Sequence, residues 1–212
     1  MAYRLISATP SPYARKVRIA LLEKGIPFDL LTEVPWDSTT TTPRHNPLEK
    51  LPILLVPKTT ATSSNDPDDF AATVFESHHI LAYLKLKHPS PTPLLSASDI
   101  DARLLALEVE VVADGVCDAC VLLFFEKQRA APSDVWTARQ RRKVDGGITW
   151  LGKLVKERVI SQSEEGKAFL IGGKFGLADV AVGTVCGYLE CRWPGLEWRR
   201  EWRGLARYVD WL

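Results

Sequence analysis

Apolar and polar positions change their spacing partway along the chain. In the first part the apolar runs are short and bounded by turn residues, which predicts strands alternating with helices. Tyr3-Arg4-Leu5-Ile6-Ser7 reads as a strand. Thr9-Pro10-Ser11-Pro12 is a turn that feeds a helix, with Ser11 as N-cap and Pro12 at the first helical position. Val17, Ile19, Ala20, Leu21 and Leu22 make that helix mostly apolar; Gly25 stops it and Pro27 forbids its return. Phe28 to Thr32 is the next strand, and so compact a strand, helix and strand predicts a right-handed parallel crossover. Residues 35–50 read as irregular, with a run of four threonines followed by Arg44-His45-Asn46-Pro47. Pro52 to Val56 and Thr73 to Phe75 are two further strands, joined through Lys58 to Asp69, which reads as a long, mobile hairpin loop. A helix runs from Ser77 through Ile80, Leu81 and Leu84, and His88-Pro89-Ser90-Pro91-Thr92-Pro93 ends it as a linker.

Beyond the linker no segment alternates, and helical spacing takes over. It is carried by Ile100, Leu104, Leu107 and Val111, then by Val144, Ile148, Leu151, Leu154 and Val155. A third helix begins near Leu177 and passes Ala181, Val185 and Leu189; Trp198, Trp202, Leu205 and Val209 form a fourth stripe. The expected architecture is therefore an α/β domain over residues 1–88, a linker over 89–98, and an all-α domain over 99–212. There is no internal repeat.

Composition narrows the function classes. The 212 residues carry 27 basic and 26 acidic side chains, so the formal charge of +1 gives no global reason to bind nucleic acid or an acidic membrane. No apolar run reaches bilayer length; Cys117 to Phe125 is too short and holds Asp118. The N-terminus lacks the features of a secretory leader, and Cys117, Cys120, Cys186 and Cys191 read as reduced thiols, which predicts a cytoplasmic protein. The first half has no cysteine, so chemistry there cannot use a cysteine nucleophile.

Several short motifs then fall in a recognisable order. They are Ser11-Pro12-Tyr13-Ala14-Arg15-Lys16-Val17-Arg18-Ile19-Ala20-Leu21, Asn46-Pro47-Leu48-Glu49-Lys50-Leu51-Pro52-Ile53-Leu54, and Phe75-Glu76-Ser77. Ala113-Asp114-Gly115-Val116-Cys117-Asp118 and Gly176-Leu177-Ala178-Asp179-Val180-Ala181 follow in the helical part. Each is weak alone, but together the chain resembles the cytosolic glutathione transferases of the serine type over nearly its whole length, near tau-like enzymes and a bacterial and fungal subgroup. The resemblance implies a thioredoxin-like glutathione domain followed by an all-α domain, with the acceptor in a cleft between them. Helix residues around Asp114 to Phe125 and the Trp136 region would form cleft walls.

The implied roles are specific. Ser11 would donate a hydrogen bond to the glutathione sulfur, beside the positive end of a helix. A free thiol titrates near ~8.5, and lowering it by ~1–2 units takes on the order of 1.4–2.8 kcal/mol, within reach of one charge-assisted bond and a helix terminus. Ser11 read alone is only an N-cap, and Ser7, Thr9 and Tyr13 are nearby hydroxyls that could share the role. Pro52 would be cis, which turns the Leu51 backbone toward the cysteinyl unit as a strand edge meets a peptide. Lys50 would hold the glycyl carboxylate, or else be a solvated charge. Glu76 would take the γ-glutamyl ammonium and Ser77 the carboxylate, against the plainer reading of a helix start with a capping serine. Asp118 would reach the ammonium of a neighbouring subunit in a homodimer, or be a structural residue in the seam.

One position departs from the family pattern: Gly176 stands where a Ser or Thr usually caps the helix, so only Asp179 remains to cap backwards and a weaker helix is expected. The chain also stops inside a helical stripe, which suggests a trimmed or naturally short tail and a more open acceptor cleft. Cys117-x-x-Cys120 reads as buried thiols within a helix rather than a redox pair. The histidines lack metal spacing, Arg139 to Lys143 reads as a solvated face, and the Trp and Arg residues from Arg192 to Trp211 read as core stripe rather than nucleic-acid surface. The expected activity is transfer of alkyl or aryl groups: glutathione, as co-substrate without a metal, is activated and added to an apolar electrophile. Glutathione-dependent isomerisation or ring opening, and non-catalytic ligand binding on the same fold, are the alternatives.

Overall fold

The computed structural model describes residues 2–58, 70–89, 99–162 and 168–212. The chain divides into two units, Met1–Leu94 and Leu95–Leu212. The first holds β1 (Tyr3–Ser7), α1 (Pro12–Glu23), β2 (Phe28–Thr32), α2 (Thr42–His45), β3 (Ile53–Val56), β4 (Ala72–Phe75) and α3 (Ser77–Lys87). The strands form one sheet in the order β2-β1-β3-β4. β1 and β2 are parallel, as the compact crossover demands, whereas β1 with β3 and β3 with β4 are antiparallel.

β3 is buried throughout because it lies inside the sheet, while β2 at the edge is largely exposed. Ala14, Val17, Ala20 and Leu21 give α1 its buried face, and Ile80, Leu81 and Leu84 do the same for α3. Gly25, at φ 62°, adopts the left-handed conformation that ends α1. The exit of α3 is tied down: Lys24 Nζ donates to the His88 carbonyl at 2.5 Å, and the Tyr3 hydroxyl meets His88 Nε2 at 2.8 Å. The loop expected from Lys58 to Asp69 lies, after Lys58, outside the described residues, as does the linker after Pro89.

The stretch expected to be irregular from 35 to 50 contains α2. Its cause is a contact remote in sequence. Glu33, just past β2, accepts bonds from the Thr40 hydroxyl at 2.5 Å and from the Thr41 and Thr42 amides at 3.0 and 3.1 Å. It also accepts from the Thr42 hydroxyl at 3.0 Å and from the Thr41 hydroxyl. A helix start leaves its first amides without partners, and here a distant carboxylate supplies them.

The second unit holds α4 (Ile100–Glu126), α5 (Asp134–Val155) continuing as a π-turn over Lys156–Ile160, α6 (Leu177–Arg192), α7 (Trp198–Glu201) and α8 (Arg203–Trp211). Asp99 caps α4 and Ser133 caps α5. The buried face of α4 is built from small residues such as Ala106, Ala113, Cys117 and Cys120, with Val109, Val116 and Leu123. The stripe that signals this helix in the sequence, Ile100, Leu104 and Val111, lies on its exposed face.

The fourth stripe is two helices rather than one. Trp202 leaves helical geometry, at φ −118° and ψ 63°, and its ring packs on Gly152 of α5, where a Cβ would lie 2.3 Å from an indole carbon.

α6 begins at Gly176 without a side-chain cap, and Asp179 caps backwards, accepting the Gly176 amide at 2.8 Å on Oδ2. Its other oxygen accepts the Leu170 amide at 2.9 Å and the Tyr208 hydroxyl of α8. The Tyr208 bond ties α6 to α8, and the Leu170 bond ties α6 to the segment that precedes it.

Candidate functional site

Sheet register decides which segments meet. Ser7 pairs with Thr32, Ile6 with Ile53, and Ile53 with Phe75. The end of β1, the end of β2, the start of β3 and the end of β4 therefore share one end of the sheet. The segments that continue from them carry Ser11, Glu33, Lys50-Leu51-Pro52 and Glu76-Ser77. The connection between β3 and β4 leaves from the opposite end, where Val56 pairs with Ala72.

Ser11 is the N-cap of α1, with its Oγ accepting the Ala14 amide at 3.2 Å. This bond uses an oxygen lone pair and leaves the hydroxyl hydrogen available to donate, so capping and donation to a sulfur are compatible. The residue is partly exposed, at the positive end of a twelve-residue helix. Of the neighbouring hydroxyls, Ser7 is buried and donates to the Ala8 carbonyl at 3.4 Å, Tyr13 is half-buried and Thr9 is exposed.

The Leu51–Pro52 peptide is cis, as the resemblance implies. Leu51 is buried with Ile6, Ala8, Ile53 and Leu55, while Lys50 is exposed. The approach to this peptide is organised by the buried side chain of Asn46. Asn46 Nδ2 donates to the Lys50 carbonyl at 2.8 Å, Oδ1 accepts the Leu48 amide at 2.9 Å, and its carbonyl accepts the Glu49 amide at 2.9 Å. The signal was readable: an Asn before Pro, followed by a short polar turn, predicts a side chain that bonds its own backbone. Glu49 sits at φ 52° in that turn.

At the start of α3 the cap is Glu76, not Ser77 as the plainer sequence reading had it. Glu76 accepts the His79 amide at 3.2 Å, and the buried Ser77 hydroxyl donates to Glu76 Oε1 at 3.3 Å. Glu76 holds φ 73°, a backbone conformation that costs a non-glycine residue about 1–3 kcal/mol and that is concentrated at ligand sites. The carboxylate and the hydroxyl are thus bonded to each other at the N-terminus of α3.

Asp118 belongs to the second unit, on the exposed face of α4, and is not among the residues that the sheet register gathers. Cys117 and Cys120 are buried in the same helix, and burial pushes the Cys120 thiol up to about 12, which suits packing rather than redox exchange. Among the described residues no group of three or more His, Cys, Asp or Glu side chains could hold a metal. No described helix is long and apolar enough to cross a membrane.

Comparison with known proteins gives this geometry a family. The glutathione S-transferase N-terminal domain matches residues 10–86, and the glutathione S-transferase C-terminal domain matches residues 134–210. The chain belongs to the glutathione S-transferase family, and its thioredoxin-like sheet domain and helical domain are that fold.

A glutathione S-transferase from Methylobacterium radiotolerans, solved with glutathione sulfonate, is 52% identical with a TM-score of 0.84, over 99% of this chain and 89% of that one. A glutathione S-transferase from Methylobacillus flagellatus, solved with glutathione bound, is 31% identical with a TM-score of 0.82, over 99% and 93%. The uncharacterized GST-like protein YibF of Escherichia coli K12 is 27% identical, over 98% of this chain and 92% of that protein.

Proposed function

We propose that this protein is a serine-type glutathione transferase that adds the glutathione thiolate to an apolar electrophile. The observation that carries the reading is the convergence at one sheet end of Ser11 on a helix N-terminus, the cis Leu51–Pro52 peptide, and the strained Glu76-Ser77 pair. Glutathione or its sulfonate bound to two relatives that cover nearly the whole chain supports it.

The roles follow from the chemistry. Ser11 donates to the sulfur, and the terminus of α1 adds a positive field at the same point. The Leu51 backbone pairs with the cysteinyl unit, Lys50 holds the glycyl carboxylate, Glu76 takes the γ-glutamyl ammonium, and Ser77 with the α3 terminus takes the γ-glutamyl carboxylate. With a chloronitrobenzene the thiolate attacks the ring carbon that bears chlorine. A carbon–sulfur bond forms, the carbon–chlorine bond breaks, chloride leaves with the electron pair, and the thiol proton has already passed to solvent.

A homodimer is part of this reading. Ile100, Leu104, Val111, Leu122 and Phe125 are 69, 57, 69, 41 and 45% exposed, and at 3.6 residues per turn they share one face of α4. Asp118 falls on the same face, where a partner's ammonium-binding site would meet it. Sedimentation showing only monomer removes that role for Asp118. The four cysteines are free thiols, which fits a reducing cytoplasm.

The test is conjugation of a chloronitrobenzene by the wild type and by Ser11→Ala, with glutathione affinity measured on both. Returning the bound thiol from ~1–2 units below the free value to that value cuts the thiolate fraction at neutral pH by about 8–25-fold, and kcat/KM should fall by that factor. Binding without turnover in the wild type identifies a ligand-binding protein instead, and full activity in Ser11→Ala removes the serine assignment.

A further inference from the structure

Glu33 is the most heavily bonded side chain at the candidate site end of the sheet, and no motif singled it out. Its amide donates to the Ser7 carbonyl at 3.0 Å, which prolongs the β1–β2 pairing by one residue toward the turn that leads to Ser11. Its carboxylate accepts five bonds from the threonine run at residues 40–42. Those bonds set the start of α2. The C-cap of α2 is Asn46, whose amide donates to the Thr42 carbonyl at 2.9 Å and whose side chain holds the Lys50 carbonyl at 2.8 Å.

An unbroken set of bonds therefore runs from the end of β1 through Glu33, the threonines, α2 and Asn46 to Lys50 and the cis Leu51–Pro52 peptide. The two halves of the glutathione site, the sulfur end at Ser11 and the glycyl end at Lys50, are otherwise separated by 38 residues of chain. A carboxylate is suited to the post because every partner can donate, and a carboxylate accepts on both oxygens without presenting a hydrogen of its own.

Resting on the glutathione reading above, we infer that Glu33 is a positioning residue that fixes Lys50 for the glycyl carboxylate, so that it sets the preference for glutathione over γ-glutamylcysteine. It touches no substrate atom in this reading; it acts through α2 and Asn46. The peptide lacking glycine keeps the γ-glutamyl contacts but ends in the cysteinyl carboxylate, one residue short of the position at which Lys50 would hold the glycyl carboxylate. A loosened α2 should therefore weaken glutathione and leave γ-glutamylcysteine nearly unchanged. General damage to the domain would weaken both alike.

Calorimetric titration of both peptides into the wild type, Glu33→Ala and Glu33→Gln tests this. The wild type should prefer glutathione by about tenfold or more, the size of one charge-assisted contact. Glu33→Ala should keep its affinity for γ-glutamylcysteine within about twofold and lose most of the preference. Glu33→Gln can keep an acceptor oxygen at the position of Oε2 and should restore much of it.

A folded Glu33→Ala with the wild-type preference, or one that loses both peptides equally, overturns the positioning role while the glutathione reading stands. A wild type that binds neither peptide overturns both. A wild type that binds both equally removes the Lys50 contact, and this proposal with it. Should Glu33→Ala not fold, the Thr40→Val and Thr41→Val double variant deletes two of the hydroxyl donors and keeps the backbone. An intermediate preference is then expected, and an unchanged one overturns the proposal.

Discussion

Glu33 in the first unit and Asp179 in the second do the same mechanical work in opposite surroundings. Each accepts backbone amides together with hydroxyl donors, and each stands at the start of a helix whose N-cap residue makes no side-chain cap. Their acidities nevertheless move apart. Desolvation raises both, but at the half-buried Glu33 it is outweighed by the bonds from Thr40, Thr41 and Thr42, and the carboxyl ends below its ordinary value. At the buried Asp179 desolvation outweighs the bonds from Leu170, Tyr208 and Gly176, and the carboxyl ends above its ordinary value. Water access decides the sign. The buried carboxylate serves the integrity of its unit, and the half-exposed one holds a loop next to the candidate site.

The largest expected effect is at the buried anchor. Asp179→Ala leaves the Leu170 amide, the Gly176 amide and the Tyr208 hydroxyl without partners, and should cost about 3–5 kcal/mol in urea unfolding. Tyr208→Phe removes one donor from a carboxylate that keeps two, and should cost about 1–2 kcal/mol by the same measurement. A loss as large as that of Asp179→Ala would show that the α6–α8 link, not the cap, carries the stability.

Glu33→Ala should cost only about 1 kcal/mol, the usual scale of a helix cap that water can partly replace. The contrast breaks if this variant unfolds as readily as Asp179→Ala.

Acid titration of stability separates the two by sign. Glu33, with its acidity strengthened on folding, contributes stability that is present above its ordinary value of about 4.3 and lost as pH falls through its lower folded value. Asp179 does the reverse: its burial costs stability as pH rises from about 3.9 through its higher folded value. Chemical denaturation of wild type and Glu33→Gln between about pH 3 and 7 should show a shallower acid limb in the variant. An identical limb would mean that Glu33 is solvated in solution and not clamped.

The same contrast explains what the sequence made legible. Strands and helices set by local signals could be read directly: the short strand run at Tyr3–Ser7, the Ser11-Pro12 start of α1 and the Gly25 stop. The candidate site could be read because its residues sit in short contiguous motifs such as Leu51-Pro52 and Glu76-Ser77. Features made by long-range contacts could not be read. α2 exists through a glutamate that reaches seven to nine residues ahead. Trp202 breaks the last stripe because Gly152, fifty residues earlier, leaves room for an indole ring. The apolar stripe of α4 pointed to the exposed face because alanine and cysteine, weak markers in a sequence, form the buried one.

The central claim is that Ser11 and the α1 terminus stabilise a glutathione thiolate. Ultraviolet titration of the bound thiolate in wild type and Ser11→Ala measures it directly. The account predicts a bound thiol titrating ~1–2 units below the free value of about 8.5 in the wild type, returning toward that value in Ser11→Ala. A bound thiol that titrates at the free value, or equally low in both proteins, would contradict it.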